Sequence, residues 1–326
     1  MNIEQKPDSK ISFQNEPVLS MHEVDKKFNE RRMNLLPHVK SYLANHPSFI
    51  GKNVEVKFAE KGISSLVCII NSSNEKVVLK ISLSLNFAEG EGTFLSVWES
   101  VGVAVPHVLE EGILGGHQYT LMKYIDAPTV AEAYNSQSLK TEGVNLEMGQ
   151  ILSLMHKPKV EGCGRLVDGK PEFENFDDWI NSPDMLARYK YVKENNLLND
   201  EHGSLSQAIE ILSRHAIINN SVYCHNDFGT NNIFATKPLT VFDPSPLFNI
   251  AYYDLARTLY SQISHGGFSQ ELLTGYFGNE PYDKKALHAA ILINAYYKFK
   301  YAYETNRVET IKNVQEYLTN NKHLLD

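Results

Sequence analysis

Polar and apolar positions alternate through much of the first 125 residues. Val54, Val56 and Phe58 are separated by charged residues, which is the period-two pattern of a half-buried strand. Short apolar runs joined by turn residues follow, and adjacent strands with short turns form antiparallel meanders. The pattern therefore predicts further strands over 66–70, 77–81, 108–113 and 118–125.

Helical signals flank these strands. Residues 1–19 are polar and aperiodic and predict an arm with little fixed structure. Ser20 and Glu23 have capping-box spacing, which predicts a helix that begins at Ser20 and breaks at Pro37, with a second short helix over 39–45. Between the third and fourth strands, another helix is predicted over 86–100.

The rest of the chain has mainly helical periodicity. The one β-like interruption is the segment 222–243. Helical stretches are predicted over 146–155, 178–193, 205–214, 253–264 and 286–305. These patterns predict an α+β protein with a polar N-terminal arm at 1–19, a β-rich region at 20–124 and a helical region at 125–326.

Composition narrows the class of protein. The 326 residues carry a net charge of −8, which argues against non-specific nucleic-acid binding, because phosphates attract basic surfaces. The three cysteines lie far apart in apolar surroundings, without the spacing of a disulfide framework or a zinc site. The chain has no apolar run long enough for a membrane span and no signal-peptide pattern, so a cytoplasmic location is expected.

The strongest chemical signal is the string from Val222 to Phe234. A short strand leads to His225, a loop carries Asp227, and Asn232 precedes the next strand. Eleven residues after Asn232, Asp243 ends another apolar strand. The spacing from Asp227 to Asn232 matches the kinase catalytic loop.

Phosphoryl transfer requires these residue types. One carboxylate orients or deprotonates the attacking hydroxyl, and two oxygen ligands hold Mg²⁺ against the nucleotide phosphates. Asp227 fits the first role, and Asn232 and Asp243 fit the second. The competing interpretation is a core histidine beside polar turn residues.

Lys80 is a candidate for binding the α- and β-phosphates. It lies in the middle of an apolar strand, where its ammonium group must reach solvent or meet an anion. Glu91 lies on the apolar stripe of the helix predicted over 86–100, whereas Glu89 lies on the solvent side, so Glu91 is preferred as the partner of Lys80. The alternatives are an exposed strand lysine and a solvated glutamate in the first helical turn.

Two further segments suit nucleotide binding. Ser64 and Ser65, beside the single glycine Gly62, could cover the phosphates or form a plain hairpin turn. Met122 and Tyr124 lie where backbone groups could contact adenine, and the alternative is an inner strand.

Asp254 starts a helical stretch and has two possible roles. It could be an N-cap of its own helix, or it could brace the catalytic loop. Its position in the sequence does not separate the two.

The loop 225–232, Asp243 and the string 254–256 resemble the aminoglycoside phosphotransferase family, whose members are choline-kinase-like. Within that family the string 227–232 is most similar to hygromycin B phosphotransferases. The resemblance implies a protein-kinase-like two-lobed fold and transfer of the γ-phosphate of ATP or GTP, with Mg²⁺, to a hydroxyl of a small molecule. It assigns Asp227 as catalytic base, Asn232 and Asp243 as magnesium ligands, and Lys80 with Glu91 to the phosphates. Asn226 stands where the family usually has glycine, and Pro244 where an aromatic residue is common.

The sequence is compatible with several phosphate acceptors. An aminoglycoside such as hygromycin B would be cationic, and four acidic residues could receive its ammonium groups or could form a solvated face: Glu172, Glu174, Asp177 and Asp178. Other hypotheses are a kinase for a sugar or amino alcohol, a protein-directed kinase and a pseudokinase-like binding module. The short interval between Asp243 and Asp254 leaves little room for an activation loop and favours small substrates.

Overall fold

The computed structural model describes residues 10–73, 75–84, 90–138, 142–198 and 203–325. The chain divides into two units, the first formed by residues 1–96 and 106–126 and the second by 97–105 and 127–326. The five residues before Gly90, where the sequence predicts the start of a helix, lie outside the described ranges.

The first unit is built on a sheet that has six strands within the described ranges, in the order β1-β2-β3-β4-β6-β5. Strand β1 pairs with β2 in parallel, and all other neighbours are antiparallel. The elements are β1 (Lys10–Phe13), α1 (Lys27–Asn45), β2 (Asn53–Phe58), β3 (Ser65–Ser72), β4 (Glu75–Ser82), α2 (Glu91–Ser100), β5 (Val108–Leu114) and β6 (His117–Lys123).

One face of this sheet is buried with α1. Val54, Val56 and Phe58 of β2 are buried while the residues between them are exposed, as the period-two pattern predicts. They join one apolar core with Leu35 and Val39 of α1. Burying large aliphatic side chains in this way contributes about 1.5–3 kcal/mol for each residue.

Two predictions near the N-terminus are wrong. Residues 10–13 are part of the sheet and not of an arm without fixed structure. The helix begins at Lys27, after a 3₁₀ turn at Glu23–Asp25, and continues through Pro37 without a break. Proline removes one helical hydrogen bond, but Leu35 and Val39 on either side of it are anchored in the core, so packing outweighs that loss.

The second unit is mainly helical. Its helices are α3 (Val130–Asn135), α4 (Val144–Met155), α5 (Phe176–Ile180), α6 (Pro183–Glu194), α7 (Ser204–Ile218), α8 (Ala251–Ile263), α9 (Gln270–Phe277), α10 (Lys284–Glu304) and α11 (Val308–Asn320). Most of α10 is buried on all sides from Ala286 to Phe299, which identifies it as the central helix of the unit. Helices α6, α7, α8 and α11 pack against it.

Helices α4 and α9 cross at very short distance. A Cβ atom on Gly149 would lie 2.1 Å from the carbonyl oxygen of Leu272, and one on Gly275 would lie 2.0 Å from that of Leu146. Only glycine permits so close an approach of two backbones. The crossing holds α4, which carries His156 at its C-terminal end, against the rest of the unit.

Strands also occur in this second unit. They are β7 (Lys159–Val160), β8 (Cys163–Val167), β9 (Lys170–Phe173), β10 (Ser221–Cys224), β11 (Ile233–Phe234), β12 (Thr240–Val241) and β13 (Leu247–Asn249). In the described part of the chain β7-β10-β13-β8-β9 form one sheet and β11-β12 another. The prediction of a single β-like interruption over 222–243 is therefore wrong, because strands of two to five residues are too short to show a period.

The arrangement confirms the predicted α+β class. The β-rich region precedes a mainly helical one, as the periodicity indicated. Helices α9 and α11 were not predicted and add to the helical part. None of the helices in the described ranges is both long and apolar enough to cross a membrane.

Candidate active site

The predicted catalytic loop, residues 225–232, begins where β10 ends. Asp254, in the first turn of α8, accepts hydrogen bonds from the backbone N–H of His225 at 2.7 Å and of Asn226 at 2.6 Å. Its carboxylate also contacts Nε2 of His156 at 3.0 Å and is fully buried. Ile250, and not Asp254, is the N-cap of α8. Asp254 therefore braces the loop, which decides between its two predicted roles.

Arg257 supports the same loop from one turn further along α8. Its Nε donates to the backbone carbonyl of Asn226 at 3.1 Å. Asn226 has a φ of 57°, in the left-handed region that glycine adopts most easily and that asparagine tolerates. The backbone conformation thus explains why asparagine can stand where the resembling family usually has glycine.

Asp227 and Asn232 are in direct contact. The side-chain nitrogen of Asn232 donates to Oδ2 of Asp227 at 3.0 Å and to its backbone carbonyl at 2.8 Å. Asp227 is exposed, so its carboxylate is accessible to a substrate. The neighbouring Asn231 is exposed on the same 3₁₀ turn, and its side chain forms no such bond.

Backbone hydrogen bonds join the segment of Asp243 to this loop. The N–H of Phe242 donates to the carbonyl of Asn232 at 3.0 Å, and Nε2 of His225 contacts the carbonyl of Phe242 at 3.0 Å. The N–H of Ser245 then donates to the carbonyl of His225 at 2.9 Å. Asp243 itself has a φ of 56°, a conformation that costs energy outside glycine and is typical of functional sites. The structure therefore brings Asp227, Asn232 and Asp243 into one part of the second unit.

His225 organises the loop from inside. It is fully buried, and its ring stacks on that of Trp98 with centroids 5.7 Å apart and planes inclined by 3°. Burial lowers the pKa of His225, although the charges of Asp254, Asp227 and Asp243 act in the opposite direction. A neutral ring that donates through Nε2 to Phe242 is a structural residue and not a proton carrier.

The donor set near Asp227 suits a hard divalent cation. Mg²⁺ prefers carboxylate and carbonyl oxygens. The side-chain nitrogen of Asn232 donates to Asp227. Oδ1 of Asn232 accepts no hydrogen bond from the described residues and is available to a cation. Together with the Asp243 carboxylate, this oxygen fits the predicted magnesium ligands.

A second cluster of donor atoms has a different explanation. The ligand atoms of His156, Cys224 and Asp254 lie within 4.8 Å of one another and are buried. The Asp254 oxygens already accept the three hydrogen bonds described above, and burial raises the pKa of the Cys224 thiol well above its ordinary value. A protonated thiol is a poor metal ligand. The cluster therefore belongs to the brace of the catalytic loop.

In the first unit, Lys80 and Glu91 form the predicted ion pair. Nζ of Lys80 lies 2.7 Å from Oε1 of Glu91, and the two side chains are 11% and 9% exposed. Glu91 is the first residue of α2. Its side chain is nevertheless buried, which excludes the alternative of a solvated glutamate in the first helical turn. Glu111, which was not predicted, accepts a hydrogen bond from the backbone N–H of Gly92 at 2.8 Å and so tethers the start of α2.

Arg32 holds the segment around Ser64 and Ser65. This buried residue of α1 donates from Nη2 to the carbonyls of Ile63 at 3.0 Å and Ser65 at 2.8 Å, and it also contacts that of Gly62. Burial lowers the pKa of Arg32 to about 10. The sequence contains no signal for this role, because Arg32 is distant from Gly62 in the chain and follows another arginine.

The remaining predicted nucleotide-binding residues lie at the end of β6. Met122 is buried and pairs with Val78 of β4. Tyr124 follows the strand, and Nζ of Lys76 lies 3.6 Å from the centroid of its ring. A role in adenine binding stays a prediction for both residues.

Three solved structures of kinases have a similar fold, which confirms the predicted protein-kinase-like fold. A putative fructosamine-3-kinase from Haemophilus somnus matches with a TM-score of 0.58 and 14% identity, covering 90% of this chain and 99% of that one. A thermostable mutant of the aminoglycoside phosphotransferase APH(4)-Ia, in a ternary complex with ADP and hygromycin B, matches with a TM-score of 0.57 and 14% identity, covering 84% and 94%. An ethanolamine kinase from Plasmodium vivax matches with a TM-score of 0.54 and 11% identity, covering 93% and 89%.

Sequence comparison identifies the family. Curated protein sequences give no match. The model of the phosphotransferase enzyme family, however, matches residues 55–288, which include Lys80, Glu91 and the whole catalytic loop. The chain therefore belongs to the phosphotransferase enzyme family, as the resemblance of its catalytic loop predicted.

Proposed function

We propose that the protein transfers the γ-phosphate of ATP, with Mg²⁺, to a hydroxyl group of a small molecule. The observation that carries the proposal is the contact between Asp227 and Asn232 on a loop to which the segment of Asp243 is hydrogen bonded. The loop and the adjoining segment thus carry one exposed carboxylate, one amide oxygen and a second carboxylate. Such a set is what phosphoryl transfer to a hydroxyl requires.

Asp227 acts as the catalytic base. Its carboxylate accepts the proton of the attacking hydroxyl, while the hydroxyl oxygen forms a bond to the γ-phosphorus and the bond from that phosphorus to the bridging oxygen of ADP breaks. The hydrogen bond from Asn232 keeps the carboxylate in one orientation. Asp254 and Arg257 hold the backbone on which Asp227 is carried.

Asn232 and Asp243 would hold Mg²⁺ through Oδ1 and the carboxylate. When bound, the ion neutralises charge on the β- and γ-phosphates. Lys80, oriented by Glu91, would bind the α- and β-phosphates. The backbone around Ser64 and Ser65, anchored by Arg32, would cover the phosphates. Met122 and Tyr124 would contact the base of ATP or GTP.

The experiment is a search for acceptor-dependent release of ADP. Purified protein is incubated with Mg-ATP or Mg-GTP and a panel of hydroxyl compounds that includes sugars, amino alcohols and aminoglycosides, and products are identified by a mass gain of one phosphate. We expect one class of compound to be phosphorylated by the wild type and none by Asp227→Ala. Absence of turnover with every compound, or equal turnover by Asp227→Ala, would contradict the proposal and favour a binding module.

An aminoglycoside is a second candidate for the acceptor. It is favoured by the neighbour whose structure holds hygromycin B with ADP. A mass gain on hygromycin B would support it, and a result confined to other classes of compound would exclude it while leaving the kinase proposal intact.

A further inference from the structure

A cavity of about 190 Å³ lies beside Asp227 within the second unit. It is lined by Asp227 and Phe228 of the catalytic loop and by side chains from α8, the end of α10 and the start of α11. We call it the basic cavity, because Arg257, Lys298 and Arg307 all line it. A water molecule occupies about 30 Å³ in the liquid, so the cavity has room for a carboxylate or phosphate group with a short carbon chain.

The positive charge of the basic cavity is not balanced by carboxylates. Asp227 is the one acidic residue among those that line it. Within the described ranges, Arg257, Lys298 and Arg307 form no ion pair. An unbalanced cluster of cations attracts an anionic ligand.

Arg257 is the buried member of this cluster, with a relative exposure of 4%. Its guanidinium donates to neutral acceptors, the carbonyl of Asn226 at 3.1 Å and Oδ1 of Asn294 at 3.3 Å. Asp254, one helical turn away, is engaged by the catalytic loop and by His156 instead. A buried charge without a counter-charge is costly, and an anion in the cavity would supply the missing partner.

Tyr260 provides an independent observation. Its side chain lines the same cavity and is 6% exposed, yet its hydroxyl has no hydrogen-bond partner among the described residues. Burial raises the pKa of Tyr260, whereas the charges of Arg257 and Arg307 act in the opposite direction. Buried hydroxyl groups almost always have a partner, so this donor lacks an acceptor that a ligand would bring.

The acidic residues that could receive a cationic acceptor lie elsewhere. Glu174, Asp177 and Asp178 line a separate groove of about 560 Å³ that does not include Asp227. Two of them already bind neighbours, since Asp177 accepts a hydrogen bond from Ser213 and Asp178 accepts one from Asn175. The cavity beside the proposed base therefore has the opposite charge to the one that an aminoglycoside would require.

We propose that the phosphate acceptor is a small hydroxyl compound with an anionic group, a carboxylate or a phosphate, and that the basic cavity binds this group. Arg257, Lys298 and Arg307 would neutralise the anion, and Tyr260 would donate a hydrogen bond to it. The hydroxyl of the acceptor then lies next to Asp227. This inference rests on the proposed function and names its substrate class.

Binding is measured first, because it does not depend on catalysis. Inorganic phosphate, glycerate and glycerol are titrated into the wild type by calorimetry. We expect phosphate or glycerate to bind and glycerol not to bind. Lys298→Gln and Arg307→Gln should each weaken anion binding by about tenfold or more, because a charge-assisted hydrogen bond is lost.

Two exposed lysines serve as matched controls. Lys300 lies on α10 shortly after Lys298, and Lys312 lies on α11, whose N-cap is Arg307, but neither lysine lines the cavity. Lys300→Gln and Lys312→Gln should leave anion affinity within about twofold of the wild type, since charges outside the cavity are screened by water and salt. Equal weakening by the control substitutions, or equal affinity of the wild type for glycerol and glycerate, would overturn the proposal.

Turnover then separates the two proposals. With Mg-ATP, hydroxy acids and sugar phosphates are compared with their uncharged analogues, which also distinguishes a carboxylate from a phosphate. Phosphorylation of an anionic compound, with KM raised about tenfold and kcat nearly unchanged in Lys298→Gln, would support the inference. Phosphorylation of neutral or cationic compounds at equal rates in the wild type and Lys298→Gln would overturn it and leave the kinase proposal standing. Anion binding without turnover of any compound would contradict the kinase proposal and with it the acceptor role of the cavity.

Discussion

The amide nitrogen of Asn232 lies 3.0 Å from a carboxylate oxygen of Asp227 and 2.8 Å from the backbone carbonyl of the same residue. An asparagine side chain has one donor group and one acceptor oxygen. Because the donor group is committed to Asp227, the oxygen is the atom left for a cation. One side chain can therefore orient the proposed base and contribute a magnesium ligand.

Replacement of Asn232 should affect the requirement for magnesium. In Asn232→Ala, we expect kcat/KM at limiting magnesium to fall by at least about tenfold, because one oxygen ligand and one orienting hydrogen bond are lost. The measurement is a magnesium titration of ADP release. Asn231→Ala is the matched control and should behave as the wild type; equal losses in the two variants would remove Asn232 from the metal site.

The pair formed by Lys80 and Glu91 should be strongly coupled. A double-mutant cycle with Lys80→Met and Glu91→Gln, measured on nucleotide affinity and on the free energy of unfolding, should give a coupling energy above about 1 kcal/mol, because breaking a buried pair leaves an uncompensated charge.

Lys123 and Glu75 offer a control pair with a similar separation of 2.6 Å, but their side chains are 46% and 45% exposed. The same cycle there should give about 0.2–1 kcal/mol in the free energy of unfolding and no change in nucleotide affinity. A coupling in the buried pair no larger than in this exposed pair would show that Glu91 does not orient Lys80.

Asp254 should be essential for stability and for turnover, although it does not contact the substrate. In Asp254→Asn, one oxygen acceptor becomes a donor that faces the N–H groups of His225 and Asn226. We expect a loss of about 2–4 kcal/mol in the free energy of unfolding, together with a loss of turnover larger than that of nucleotide binding. Urea unfolding and nucleotide titration measure the two effects.

The exposed Asp184, which pairs with Arg188 on α6, is the control for Asp254. Asp184→Asn should change stability by less than about 1 kcal/mol. If Asp254→Asn were equally mild and fully active, Asp254 would not brace the loop.

Acid should destabilise the protein through His288. Burial lowers the pKa of this histidine to about 4, with a smaller contribution from the charge of His323. The unfolded chain titrates near pH 6.5, so it binds more protons than the folded chain below that pH. The stabilisation that neutral His288 contributes to the free energy of unfolding is fully present above pH 6.5. It is lost as the pH falls towards 4, at about 1.4 kcal/mol per pH unit.

The measurement is urea unfolding at pH 7.5 and pH 5. Between these pH values, the free energy of unfolding of the wild type should fall by about 2 kcal/mol more than that of His288→Leu, because leucine binds no proton. An identical loss in both proteins would assign the acid sensitivity to other groups.

Much of the fold could be predicted because its signals are local. The alternation at Val54, Val56 and Phe58 matches the burial of β2. Predictions were wrong where tertiary contacts outweighed local preference, as at Pro37, where the core holds the helix together. Strands such as β7 and β13 are too short for a period to be visible.

The sequence by itself determined which side chains are candidates for the chemistry. The spacing from Asp227 to Asn232 and the strand before Asp243 indicated a phosphotransferase, because a short loop between strands places such residues close together. Lys80 and Glu91 followed from the geometry of one strand and one helix.

Only the tertiary structure decided what supports these groups and what surrounds them. Arg32 binds the segment around Ser64 and Ser65 from α1, and Asp254 binds the catalytic loop from α8. The residues of the basic cavity come from three helices and one loop. The charge of a cavity depends on which side chains tertiary packing brings together. Because these side chains are distant from one another in the chain, no local sequence pattern predicts the charge.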